Sequence, residues 1–451
     1  YSVYKKLING SLTTTRRRKM TYDESGWLFP SPDYKPNNDV HFLTEENLMD
    51  MYQESLNDNV WAASVRNEVI YKDKNPGSAR DFLIDELRIM NTGGTVIQFP
   101  YGHVITFPSK RHFFRGEKQI YQESVPSLNR KIDKMSPYNQ ELYRAVANMR
   151  IEQFAKFIWQ FNIVPYWEAK LSDVNFMALA QHYGFETHLL DLTNDFMTAL
   201  FFATCYYDNH KGKFFPLTAE MINYSEDTQY GVIFHAPNWV IDYLQPGGSM
   251  QWLTEHMNDR RQEPYALDSG ELDGMAFQIG YQPLHRCHFQ NGYIFPMRNS
   301  APLQQDIRFE KLRFKQSVEL AQKVYDFMDG GKKVYPQEGI SAANAVLEKI
   351  QRSTHFSEND LESAYYVCDK TMFQTKESLK DALLKYDLGG GKINIGEEEI
   401  EYPITKELQD EINSYYDGVD LFQAIGGMLH QLPEHKRYRQ QRCIEIYGKE
   451  I

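Results

Sequence analysis

Apolar positions change their spacing several times along the chain, and each change marks an element. TEENLMDMYQESL at 44–56 sets Leu48, Met51 and Leu56 near helical intervals behind Thr44 and Asn47, which predicts an amphipathic helix. A second helix is expected over SARDFLIDELRIM at 78–90, with Ser78 as its N-cap. After NTGGT at 91–95 the segments shorten and turn aromatic and β-branched, punctuated by Pro100 and Pro108, so two or three strands are expected between 95 and 116. VPSLNRK at 125–131 reads as a loop. From 136 to 161 the pattern is helical, with Leu142, Val146, Met149, Phe154, Phe157 and Ile158 as the buried stripe and Pro137 in the first turn.

A helix over 171–183 stops at Gly184, and an extended FETHLLDLT leads into a helix DFMTALFFATCYY that Asn194 or Thr193 can cap. YGVIFHAPNWVIDYL at 230–244 begins as a strand. Segments 275–284 and 286–296 read as strands, and alternation in the second puts Arg286, His288 and Gln290 on one side. Helices are expected past Asn299, beginning with RFEKLRFKQSVELAQKVYDFM at 308–328. The pattern therefore predicts an α+β protein: a central mixed or antiparallel sheet domain with flanking helices at 95–350, an N-terminal arm and helical region at 1–94, and a mainly helical region at 351–451.

Composition narrows the function classes. A chain of 451 residues forms more than one packed unit. Its net charge of −12 argues against a broad nucleic-acid footprint, and the basic runs at 16–19 and 435–442 read as solvated faces. The four cysteines are each more than 70 positions apart, so no close-spaced metal or redox pair is expected, and no metal is assigned. No apolar run approaches the ~18 residues of a membrane span and no signal-peptide pattern opens the chain, so a soluble cytoplasmic protein with no membrane partner is expected. The LGGGK run at 388–392 lacks the spacing of a phosphate loop and reads as a turn.

Candidate chemistry gathers at 181–205, where Gln181, His182, Thr187, His188, Asp191 and Thr193 fall within thirteen residues. An Arg at a strand end followed by Gly, as at Arg115 and Gly116, suits an anion, and an ion pair within the fold explains it equally well. His182 ends a helix, where capping competes with catalysis. Asp191 precedes a helix start, where a local cap competes with ligand chemistry.

These residues resemble the FRG domain family, named for Phe-Arg-Gly, here Phe114, Arg115 and Gly116. A proline-serine-leucine and arginine motif stands at Pro126, Ser127, Leu128 and Arg130. The family's most specific stretch stands at Gln181, His182, Tyr183, Gly184, Thr187, Leu189, Leu190, Asp191 and Thr193, then Ala199, Leu200, Phe202 and Ala203. Arg286, Gln290, Gly292 and Tyr293 match a later motif, and Tyr335, Pro336 and Gly339 another, so the resemblance spans about 95–350. His188 and Leu192 replace the family's usual Arg and Trp.

The layout is similar to that of ADP-ribosyltransferases. That resemblance implies a site for a nucleotide-like ligand, with NAD as substrate. Arg115 would lie near a phosphate or ribose, Thr193 would brace the nicotinamide ribose, Gln290 would bond a ribose hydroxyl, and Asp191 or Glu117 would supply the carboxylate that stabilises an oxocarbenium-like charge. Gly116, His182, Thr187, His188 and Arg286 complete the expected ligand-binding set. The implied function is NAD-dependent ADP-ribosyl transfer or NAD glycohydrolysis by a bacterial toxin or anti-phage effector, with a protein partner on the C-terminal helices. The rivals are a non-catalytic sensor module and a nucleic-acid-binding protein.

Overall fold

The computed structural model describes residues 40–53, 112–161, 164, 174–209, 211–237, 273–278, 284, 286–290, 292–336, 339–389 and 391–416, with short strands at 21–22, 28–29, 69–71, 95–99 and 102–106. The expected helix at 78–90 and both basic runs lie outside the described residues.

A seven-stranded sheet organises the fold. Its strands are β1 (Val40–Leu43), β2 (His112–Glu117), β3 (Leu189–Thr193), β4 (Tyr230–Pro237), β5 (Phe277–Gln278), β6 (Gly292–Pro296) and β7 (Glu310–Lys315), in the order β5-β6-β3-β2-β4-β7-β1. Only the β7–β1 pairing is parallel, so the sheet is mixed, as the sequence predicts. The strands expected at 95–106 form, but they pair with Val69–Tyr71 in a separate three-stranded sheet.

The described helices are α1 (Ser127–Ile132), α2 (Pro137–Trp159), α3 (Phe176–His182), α4 (Phe196–Thr204), α5 (Arg286–Phe289), α6 (Val318–Phe327), α7 (Asn344–Gln351), α8 (Glu358–Val367), α9 (Lys376–Lys385) and α10 (Lys406–Tyr416), with a further helix at 45–53 and a single helical turn at Ala219–Ile222. None of them is long and apolar enough to cross a membrane. One sheet face packs against α4 and α6, where Phe114, Ile233, Leu312 and Phe314 meet Phe196, Leu200, Leu320 and Val324. The other face gathers Phe113, Leu190, Leu192, Phe234, Tyr293 and Phe295 under Leu303 and Phe309.

Helix α2 is the spine between two further clusters. Its Phe154, Phe157 and Ile158 pack with α3 and α7, and its Leu142, Val146 and Met149 pack with α8 and α9. Ser136 caps it, with Pro137 in the first turn as expected.

Four local expectations are corrected. Residues 125–131 are not a loop throughout, because Ser127 opens α1. Cys205, Tyr206 and Tyr207 leave the α4 pattern and form a hairpin strand with Lys213–Pro216. Residues 310–315 are strand β7 rather than helix, fixed between β4 and β1. Arg286–Phe289 is a helical turn, so Arg286 and Gln290 do not share the face of a strand.

Candidate active site

Strands β2 and β3 share a single register pair, Phe114 with Thr193, and part beyond it. Arg115 fills the gap: its Nη1 donates to the Asp191 carbonyl at 2.9 Å, in place of a ladder bond. Arg115 pairs across the sheet with Phe234 and Asp191 with Ile294, members of clusters on opposite faces. Both nevertheless reach the same opening, because the strands separate there. The opening is a cavity of about 560 Å³, and Arg115, Asp191, Thr193 and Gln290 all line it. Gly116, Glu117 and His182 line it too.

The two candidate carboxylates differ. Glu117 is buried and committed: Oε1 accepts from Arg115 Nε at 3.0 Å and Oε2 from Ser124 Oγ at 2.6 Å. Asp191 has a side chain 45% exposed. Its Oδ1 accepts from Gln181 Nε2, and Gln181 Oε1 in turn accepts from Thr187 Oγ1, so a chain of hydrogen bonds aims the carboxylate. Of the two, Asp191 is the one that opens to the cavity.

His182 closes α3, and its Nε2 lies 3.8 Å from Asp191 Oδ1 with the side chain 3% exposed. Burial above all holds this imidazole below the usual histidine range; Asp191 opposes the shift, Arg286 adds to it and Gln290 opposes it. The helix ends in a Schellman turn: Gly184, at φ +87°, donates to Gln181 O and Phe185 donates to Ala180 O, each at 3.0 Å.

Three expected ligand-binding residues are absent from the cavity wall and support it from behind. Arg286 caps α3 by donating from Nη1 to the His182 carbonyl at 2.9 Å, with its guanidinium 3.8 Å from the Tyr335 ring centre and 4.4 Å from that of Tyr183. Thr187 is buried in the Gln181 network and receives Leu189 N at 3.2 Å. His188 is buried, and its carbonyl accepts from Met297 N at 2.9 Å.

Thr193 and Gln290 line the cavity but also build it. Thr193 Oγ1 donates to the Gln290 carbonyl at 2.7 Å and accepts from Asp195 N at 3.0 Å. Gln290 Nε2 donates to the Val334 carbonyl at 2.9 Å. Asp195 caps α4, in place of the expected Asn194 or Thr193, by accepting from Thr198 N at 2.8 Å. The first turn of α4 is therefore served by the chain's own carboxylate and is not an open anion site.

Gly116 also finds its reason here. A Cβ on it would lie 1.7 Å from the Ala199 carbonyl oxygen, so β2 approaches the α4 backbone only through a glycine. It stands one residue before the strand ends, near where the sequence places it, but is still paired in the ladder with Ile233.

Residues 110–212 match the family model of the FRG domain. The match takes in Phe-Arg-Gly, α2 and the whole stretch from Gln181 to the α4 helix. The later motif residues Arg286, Gln290 and Tyr335 fall outside it, yet they brace it: Arg286 donates to the His182 carbonyl, the Gln290 carbonyl accepts from Thr193, and the Tyr335 hydroxyl bonds that of Tyr207. No curated protein and no solved structure matches the chain. The likeness to ADP-ribosyltransferases thus rests on the order of elements alone.

The cavity also holds residues that sequence reasoning left out of the site: Lys118, Tyr121, Glu123 and Arg130 on one side, and an aromatic wall of Phe202, Tyr206, Tyr207 and Phe214 on the other. Arg130 carried a signal as part of the proline-serine-leucine motif. In the aromatic wall Phe202 carried a signal as a motif residue of α4, whereas Tyr206 and Tyr207 were read as helix and, with Phe214, come together only in the hairpin.

Proposed function

We propose that the FRG-domain cavity binds a nucleotide-like ligand, and that this ligand is NAD, which the protein cleaves by transfer of ADP-ribose to water or to an acceptor. The observation that carries this reading is the meeting of Arg115, Asp191, Thr193 and Gln290, from three separate segments, on one cavity onto which the half-exposed Asp191 carboxylate opens. The aromatic wall suits a planar base or nicotinamide ring. Arg115 supplies cationic charge for a phosphate.

In the proposed reaction the bond between nicotinamide and the ribose carbon breaks, and its electron pair leaves with nicotinamide. Asp191 stabilises the positive charge left on the ribose, a nucleophilic oxygen adds there, and that oxygen releases its proton. Glu117 takes no part, because both of its oxygens hold the fold together. Consumption of NAD would fit a toxin or effector in a bacterial cell, with residues 351–451 as the surface for a partner.

A sensor that only binds is the second reading, and the structural duties of Thr193 and Gln290 favour it. Incubating the full chain with NAD and measuring free nicotinamide by chromatography separates the two. The wild type is expected to release nicotinamide, and Asp191→Asn to lower the rate by about 100-fold or more, the scale of losing a preorganised electrostatic stabiliser. Unchanged release by Asp191→Asn overturns the catalytic assignment, and binding without release selects the sensor.

A further inference from the structure

Beside the cavity runs an open groove of about 450 Å³ whose walls include Gln119, Gln122 and Asp227. Tyr121, Glu123 and Arg130 belong to both hollows, so Arg130 stands at their junction. Its side chain is fixed there, with Nη1 donating to the Val125 carbonyl at 2.8 Å. The carboxylate that acts on it electrostatically, Glu117, is already bonded to Arg115 and Ser124. Burial first, and then the like charge of Arg115, push the Arg130 guanidinium below its ordinary range. The fold thus sets a second arginine beside the first without giving it a bonded carboxylate among the described residues.

We propose that the ligand site extends past the cavity, and that Arg130 holds the diphosphate of a dinucleotide whose one nucleoside lies against Asp191 and whose other lies in the groove. The proposal rests on the NAD reading and deepens it. An anion placed at the junction meets Arg130, with Arg115 behind it and Glu123 as the carboxylate beside it, whereas toward Asp133 and Asp227 it would meet two further carboxylates. Those carboxylates and the amides of Gln119 and Gln122 suit ribose hydroxyls and the polar edge of a base. A ligand with an anionic centre and two neutral ends fits this distribution, and a single nucleoside leaves half of it unused.

Calorimetric titration of the full chain tests this with two ligands, NAD and nicotinamide riboside, which has no phosphate. Arg130→Ala is expected to weaken NAD about 10- to 100-fold, the scale of hydrogen bonds to a charged group, and to leave nicotinamide riboside within about twofold. Arg130→Lys keeps the charge without the two-pronged geometry and is expected to fall between. Should Arg130→Ala fail to fold, Arg130→Lys and the groove-filling Gln122→Trp carry the test, each expected to weaken NAD and spare the riboside. NAD binding at wild-type strength in these variants, with nicotinamide still released, overturns the two-chamber site and leaves the proposed activity standing. A wild type that neither binds nor cleaves NAD overturns both.

Discussion

At the scale of single residues, the site is a set of side chains whose obligations differ although their types look alike. Asp191 and Glu117 are both carboxylates at the cavity, but one is spent on Arg115 and Ser124 and the other faces the opening. His182 illustrates how burial sets charge. Its folded pKa lies below the ordinary value near 6.5, so at acid pH the unfolded chain binds a proton more readily than the folded one. Stability from this group is intact above about pH 6.5 and is lost as pH falls through that value. Thermal scans from pH 7.5 to 5.5 are expected to show a falling melting temperature, with a smaller fall in His182→Gln; equal slopes would contradict this. Cys205 also lines the cavity, but burial pushes its thiol up to about 12, so it is not a nucleophile at neutral pH. Iodoacetamide at pH 8 is expected to leave Cys205 unlabelled in the native protein, as mass spectrometry of its peptide would show. Polar density and motif spacing made Arg115, Asp191, Thr193 and Gln290 legible in the sequence. They did not separate Arg286, Thr187 and His188, whose partners are a helix end, a glutamine and a strand end brought together only by folding.

At the scale of elements, the contact of β2 with α4 carries the Phe-Arg-Gly motif. Phe114 packs on Phe196 and Gly116 lets the strand touch the helix backbone, which together fix Arg115 at the split in the sheet. Gly116→Ala is expected to destabilise the protein by about 3 kcal/mol or more, since the backbone contact it meets has no rotamer with which to yield. Urea denaturation checks this, and a loss under about 1 kcal/mol would be too small for the overpacking described. Helix α2 was legible because its apolar positions recur over 23 residues, and α4, only nine residues long and buried on nearly every side, because an unbroken apolar run follows a polar cap. Residues 308–315 were not, because RFEKLRFK satisfies both a helical and a strand spacing, and the choice is made by hydrogen bonds to β4 and β1 from distant parts of the chain. Arg286–Phe289 misled for a similar reason: four residues are too few to show a period.

At the scale of the whole molecule, α2 joins the FRG domain to the C-terminal helices. Asp360 at the start of α8 is fully buried and accepts from Ser357 N at 2.9 Å, Gln153 Nε2 at 3.1 Å and Lys156 Nζ at 2.9 Å, the last two from α2. Glu399 adds a second carboxylate on Lys156 at 2.7 Å. Asp360→Ala strands a buried amide and half-frees the lysine, and a loss of about 3 kcal/mol is expected after allowing for the lysine's partial exposure. Equilibrium denaturation measures it, and a loss below about 0.5 kcal/mol, the scale of a surface ion pair, would contradict the buried network. Nothing in the spacing of apolar residues announced this junction, since a helical stripe shows that a face is covered and not which distant segment covers it. The α+β class and the mixed sheet were legible, whereas the split between β2 and β3 that makes the cavity depends on one register pair and is invisible in a linear pattern. Ligand seated at that split would shield all the segments that line it. Hydrogen–deuterium exchange of the full chain with and without NAD is the sharpest check: protection is expected at 112–117, 189–193 and 286–290 together, and protection confined to other segments, or none at saturating NAD, would show that the split is not the site.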